Sequence, residues 1–255
     1  MDTNLIVFLA LGAFGAGLID AVVGGGGLIQ IPLLFSVLPK ELPATLFGTN
    51  KFASVFGTAF AARSYARRVD MPWQTIIPAS FAAFVFSYLG AMAIAWLPRE
   101  FLRPLIFVLL VGAAAYTYVR KDFGNLHRPQ HAGQRGFIYA LIVGGAIDFY
   151  DGFFGPGTGS FLVFLFIRFF GFDFLHASAA SKVVNVATNL AALSFFVPNG
   201  FLLPAIAISM AACNVLGSLV GTHLALRYGN GFVRNLFLVV VGMLILKFAY
   251  DSFLQ

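Results

Sequence analysis

Apolar residues run along this chain in blocks long enough to cross a bilayer, with polar residues confined to short gaps between them. A membrane helix needs about 20 such residues. By that measure residues 5–23, 45–62, 73–97 and 102–119 read as long hydrophobic segments in the first half. Residues 136–154, 175–197, 202–226 and 232–253 do so in the second. Two further stretches, 28–38 and 160–170, are too short to span alone and read as half-helices. Each follows a glycine cluster: Gly24, Gly25, Gly26 and Gly27 in one case, and Gly155-Pro156-Gly157-Thr158-Gly159 in the other. Glycine in a helix interior costs roughly 1 kcal/mol relative to alanine, so these clusters predict interrupted helices. The pattern predicts an all-α polytopic membrane protein with broken helices at its glycine motifs and 8–10 segments in total.

The two halves are copies. A gapless shift of 131 positions carries Asp20 onto Asp151, Gly24 onto Gly155, Gly26 onto Gly157 and Lys51 onto Lys182. It also pairs Gly90 with Gly221, Phe101 with Phe232 and Arg103 with Arg234. One offset sustained over so long a stretch marks a duplication. The organisation expected is a transmembrane repeat over 1–120, a basic linker over 121–135 and a second transmembrane repeat over 136–255.

Composition sharpens the class. Hydrophobic residues make up 60% of the chain and charged residues 10%, with a mean hydropathy of +0.89. A soluble domain carries about 25% charged residues. The net charge of +6 needs no nucleic-acid partner, because the basic residues sit in gaps where they orient a membrane protein. Placing the loop at 63–71 and the linker inside satisfies the positive-inside rule if the repeats are inverted, with five segments each; two arginines near residue 99 then lie outside. Parallel repeats with eight crossings are the alternative. No Lys or Arg precedes Lys40, so the first segment is expected to stay as a membrane helix rather than act as a secretory signal. Cys213 is alone, and His127, His131, His176 and His223 show no ligand spacing, so neither a disulfide nor a metal centre is expected.

Chemistry concentrates near the breaks. Lys51 and Lys182 lie inside apolar segments, where a charge is costly and commonly marks an ion or substrate path. The plainer account is that each snorkels to the surface; equivalent positions in both repeats favour function. Asn50, Ser181 and Asn185 flank them, and Asn189 shares the face of Lys182 and Asn185. Asp20 and Asp151 read either as partners of the buried lysines or as titratable groups that couple proton movement. Asp148 lies one turn before Asp151, where two close carboxylates suit a proton-coupling site, and has Gly17 as its counterpart. Two half-helix N-termini, at Gly24–Gly27 and Gly155–Gly159, offer backbone donors and dipole ends to an anion. Paired breaks at matching positions of two halves point to a transporter binding site; close helix packing is the competing reason for glycine.

The stretch 17–34, followed by Gly48-Thr49-Asn50-Lys51, resembles the TauE/SafE sulfite exporter family, also called TSUP. Tyr150-Asp151-Gly152-Phe153-Phe154-Gly155-Pro156-Gly157-Thr158-Gly159-Ser160 is similar to that family's second signature, and the likeness covers essentially the whole chain. The resemblance implies a multi-pass protein of the bacterial cytoplasmic membrane that moves small sulfur-containing anions, such as sulfite or organosulfonates, usually outward. Expected partners are a small sulfur oxyanion or sulfonate and the lipid bilayer, with a homodimer left open. No cofactor, enzymatic activity or nucleic-acid partner is expected. A secondary transporter working by alternating access is the leading reading, and a passive anion channel the alternative.

Overall fold

The computed structural model describes residues 3–93, 134–153 and 155–253, and these are all-helical apart from turns. In chain order the helices are α1 (Thr3–Val23), α2 (Gly27–Val37), α3 (Pro43–Ala66), α4 (Trp73–Ala93), α5 (Gln134–Phe153), α6 (Thr158–Phe170), α7 (Phe174–Phe196) and α8 (Pro204–Phe253). The expected segment at 102–119, the loop near Arg99 and linker residues 121–133 lie outside the described residues. The polypeptide thus forms a polytopic α-helical membrane protein, as its apolar blocks predict. Two expected segments, 202–226 and 232–253, run on as α8, but Gly229 breaks that helix with φ 68° and ψ −160°. The chain reverses there: Phe237 returns to pack on Phe174, and Val240 approaches Gly25. Helix α3 is longer than the expected 45–62, because Pro43 starts it at its first turn and the basic stretch continues it to Ala66.

Helix α1 ends where Gly24 takes a left-handed conformation, φ 79°. The chain then folds back, so that Leu33 of α2 lies against Gly12, and Gly26 against Ala16 and Asp20. The first half-helix is therefore re-entrant. Gly155 and Gly157, at φ 85° and 86°, make the corresponding break between α5 and α6.

The packing shows how the repeats are related. Gly90 of α4 meets the Phe149 carbonyl of α5, and Gly221 of α8 meets the Leu18 carbonyl of α1. The 131-residue shift carries one contact onto the other. Each half thus lends its fourth segment to the first segment of the other half, with glycines allowing the backbones to touch. Helix α3 starts where its counterpart α7 ends, since Gly48 abuts Phe196 and Phe201, and the far end of α3 at Tyr65 shares an apolar cluster with Phe172 and Phe174. Equivalent helices run in opposite directions, which is the inverted arrangement. Outward faces carry exposed Leu11, Ile77, Phe81, Ile208 and Leu216, while the interior holds polar side chains such as Gln30, Asn50 and Asn214. This inside-out distribution suits a lipid solvent.

Charge is unequal at the two ends. Arg63, Arg67, Arg68, Arg168, Arg227 and Arg234 belong to the end where α3 and α6 finish, α7 begins and α8 turns. Among the described residues the opposite end carries Lys40 beside Glu41.

Candidate functional site

A helix that stops inside the membrane leaves its last four carbonyls without partners. In α1 the Asp20 carbonyl still accepts from the Gly24 N–H at 2.8 Å, and it and the three carbonyls after it are all met by side chains from elsewhere. Lys182 donates to the Asp20 carbonyl, Tyr65 to that of Ala21 at 3.0 Å, Ser178 to Val22 at 2.7 Å and Ser160 to Val23 at 2.9 Å. Three of these four donors, Lys182, Ser178 and Ser160, belong to the other repeat. The broken end of α1 is thus held by α3, α6 and α7 together.

The two breaks meet tip to tip. Gly24 and Gly159 approach so closely that a Cβ on either would fall about 2.3–2.4 Å from backbone atoms of the other, a distance no side chain tolerates. The Ser160 N–H donates across to the Gly24 carbonyl at 3.0 Å, and the Gly26 N–H donates to Asp20 Oδ1 at 3.3 Å. Some donors expected to face an anion are therefore already engaged by protein. Tyr150 O–H to the Pro156 carbonyl (2.7 Å) and Thr158 Oγ1–H to the Gly155 carbonyl (2.9 Å) fix the second break.

Two crossed ion pairs flank the tips. Lys51 Nζ donates to Asp151 Oδ2 at 2.6 Å, and Lys182 Nζ donates to Asp20 Oδ2 at 3.1 Å. The repeat shift exchanges them, and each joins one half to the other. Neither lysine snorkels: the Lys51 and Lys182 side chains are 4% and 0% exposed. Neither stands free, since two ammonium groups face two carboxylates and the quartet is neutral.

Between the tips lies a polar cavity of about 30 Å³. Of the residues singled out in the sequence, Asp20, Gly24, Gly27, Asn50 and Lys51 line it from the first repeat. Asp151, Gly155, Gly157, Thr158, Gly159 and Asn185 do so from the second. Gly25, Gly26, Ser181, Lys182 and Asp148 are not among its lining residues. Ser181 turns its hydroxyl back to the Ser178 carbonyl, and Lys182 is covered by the end of α1. Asp148 is fully buried, and neither carboxylate oxygen has a hydrogen-bond partner among the described residues.

Sequence reasoning omitted Ser54 and Thr58 as site residues and mentioned Asn189 only as a neighbour, yet all three line the cavity. The signal was present: Ser54 and Thr58 follow Lys51 by three and seven positions, as Asn185 and Asn189 follow Lys182. One helical face therefore carries the site in each repeat. Asn50 Oδ1 and Asn185 Oδ1 are buried without partners among the described residues. These amides can present either an oxygen or an NH₂ to a bound group, because the two ends are interchangeable by a flip.

The sequence profile described as Sulfite exporter TauE/SafE matches residues 9–248 of the chain. The chain belongs to the TauE/SafE family. Among similar proteins, the "Probable membrane transporter protein ORF9" of a Sinorhizobium species is 33% identical, over 97% of this chain and 94% of its own length. The "Probable membrane transporter protein YfcA" of Escherichia coli strain K12 is 32% identical over 93% of this chain and 87% of its own. A "Probable membrane transporter protein" of Haemophilus influenzae is 30% identical over 98% and 96%. No solved structure matches the chain significantly. Membership in the TauE/SafE family and the similarity to these proteins identify a membrane transporter.

Proposed function

We propose that this TauE/SafE protein is a secondary transporter exporting a small sulfur-containing anion, such as sulfite or an organosulfonate like sulfoacetate, across the bacterial cytoplasmic membrane. The observation that carries this reading is the polar cavity set between two re-entrant tips and flanked by two crossed Lys–Asp pairs. The cavity is small and polar, which suits a compact oxyanion. Asn50, Ser54, Thr58, Asn185 and Asn189 offer hydrogen bonds, and Lys51 is the cation at its wall. The arginine-rich end faces the cytoplasm by the positive-inside rule. Because the repeats are inverted, rocking one against the other would exchange inward and outward access around this cavity.

Neutrality of the quartet bears on coupling. An anion that reaches Lys51 must displace the Asp151 carboxylate or meet it protonated, so anion and proton binding favour each other. Asp20 stands in the same relation to Lys182, and Asp148, one turn from Asp151, is a place for the proton to go. A passive anion channel is the second reading, favoured by the same polar lining; it would give linear, unsaturable flux with no coupling to a proton gradient.

The test is thermal stabilisation of the purified protein by sulfite, sulfate, thiosulfate, sulfoacetate, taurine, acetate and chloride. Selective stabilisation by a sulfur anion is expected, and it should be lost when Asn50 and Asn185 are both changed to Leu. A selective shift that survives this double change removes the cavity from consideration. Reconstituted flux of the stabilising anion, measured against concentration and pH gradient, then separates transporter from channel.

A further inference from the structure

A second cavity lies at the arginine-rich end, in the groove between α3 and the first part of α8. Its volume is about 190 Å³, and its polar lining is Ser64, Arg67, Arg68, Thr222 and His223. It shares no lining residue with the central cavity. Nothing acidic lines it, and no ion pair among the described residues involves Arg67 or Arg68.

Two ordinary causes explain the arginines in part. Cations at the C-terminus of α3 compensate the helix dipole, and arginines at this end of the molecule set topology. Neither cause explains Thr222. It is 1% exposed, and its hydroxyl has no hydrogen-bond partner among the described residues. A buried threonine in a helix ordinarily bonds back to the carbonyl one turn earlier, and an unpaired buried hydroxyl is a cost. Thr222 lines a cavity whose charged groups are Arg67 and Arg68, so an anion is the partner that would satisfy both the arginines and the hydroxyl.

The duplication shows that the basic groove belongs to one end of the molecule. The repeat shift carries Ser64, Arg67 and Arg68 onto Phe195, Pro198 and Asn199, and places Ala91 and Met92 opposite Thr222 and His223. The equivalent groove at the other end therefore has no basic group, although the two halves share one backbone plan. This groove is therefore particular to one end.

We propose that the groove binds the phosphodiester headgroup of an anionic phospholipid. Arginine's planar fork matches phosphate oxygens two at a time, and basic pockets between helices on the cytoplasmic side hold such headgroups. The remaining lining residues, Leu219 and Leu226, decide between lipid and free phosphate. Leu219 is 41% exposed on a membrane-spanning helix, so the groove carries an apolar surface onto which the glycerol and the start of an acyl chain can lie.

The experiment adds phosphatidylglycerol, phosphatidylcholine, glycerol 3-phosphate or inorganic phosphate to the detergent-purified full chain. Thermal unfolding and native mass spectrometry of retained lipid are the readouts. Phosphatidylglycerol should raise the melting temperature and remain bound, while phosphatidylcholine should not. The Arg67→Gln/Arg68→Gln variant should weaken retention roughly tenfold or more, and Thr222→Val should weaken it with the lipid-free melting temperature held or raised. Undiminished retention in the double arginine variant overturns the proposal. An equal shift with inorganic phosphate alone also overturns it, because the site would then be one for a free anion. If the arginine variant does not fold, Thr222→Val decides: unchanged retention there counts against the site.

Discussion

Replacing Lys51 by Met removes the ammonium and leaves the Asp151 carboxylate in place. The two side chains are 4% and 7% exposed and their charged atoms lie 2.6 Å apart. At an effective dielectric of about 20, Coulomb attraction at that separation is about 6 kcal/mol. Withdrawing both ions from water costs several kcal/mol each, so the intact pair contributes little net stability. Breaking it is different: the remaining carboxylate keeps its desolvation penalty and loses its compensation, a loss of about 3–5 kcal/mol. At about 2–4 °C per kcal/mol this lowers the melting temperature by roughly 6–20 °C. Asp151→Asn alone should also destabilise, because it strands the ammonium. The double variant Lys51→Met/Asp151→Asn should lie near the wild type, since a neutral replacement for a buried pair is often close to neutral in stability. The assay is a double-mutant cycle on detergent-solubilised protein, read by intrinsic fluorescence or by the fraction remaining monodisperse after heating. Single losses that simply add in the double variant, with a coupling below about 0.5 kcal/mol, would refute the pairing.

The symmetry-related pair should behave less severely. Asp20 is 17% exposed and keeps nearby donors in Gly26 N–H (3.3 Å) and Thr58 O–H (3.4 Å) after Lys182→Met, so that variant should lose less stability than Lys51→Met. Gly24→Ala should abolish the folded protein, combining φ 79° with a Cβ 2.3 Å from Gly159, whereas Gly15→Ala, with nothing within 4 Å of its Cβ, should leave thermal stability unchanged. Asp173 caps α7 through the His176 N–H at 2.8 Å, and Asp173→Ala should cost about 1 kcal/mol in thermal unfolding. Burial pushes the Asp173 carboxyl up, but hydrogen bonds from His176 outweigh it and hold the group below the usual carboxylate range. That contribution is present above the unfolded value of about 3.9 and lost as pH falls through the lowered folded value, so wild type and Asp173→Ala should converge in acid.

Hydrophobic block length by itself determined that this chain lives in a bilayer, because length and apolarity are the whole physical requirement for a spanning helix. The constant shift between halves determined the duplication, and glycine clusters placed both helix breaks, since no other residue so disfavours a helix interior while tolerating positive φ. Lys51, Asn50, Asp20 and Asp151 were visible for the same reason: charge and amide groups are conspicuous in apolar sequence. The tertiary structure decided what each does. Pairing is a property of distance, and residues 51 and 151, like 20 and 182, are joined by nothing in one-dimensional spacing. Only the crossed packing of the inverted halves brings each lysine to the other half's aspartate and leaves the quartet neutral. Likewise Ser181 is equivalent to Asn50 in sequence but turns to its own backbone, because the repeats share a backbone plan and not the side chains packed around it. The carbonyls of Ala21, Val22 and Val23 at the end of α1 could be foreseen as orphans from the break alone. Their donors, scattered from Tyr65 to Ser178, could not, because hydrogen bonds across a helix bundle depend on rotation and register that local sequence does not encode.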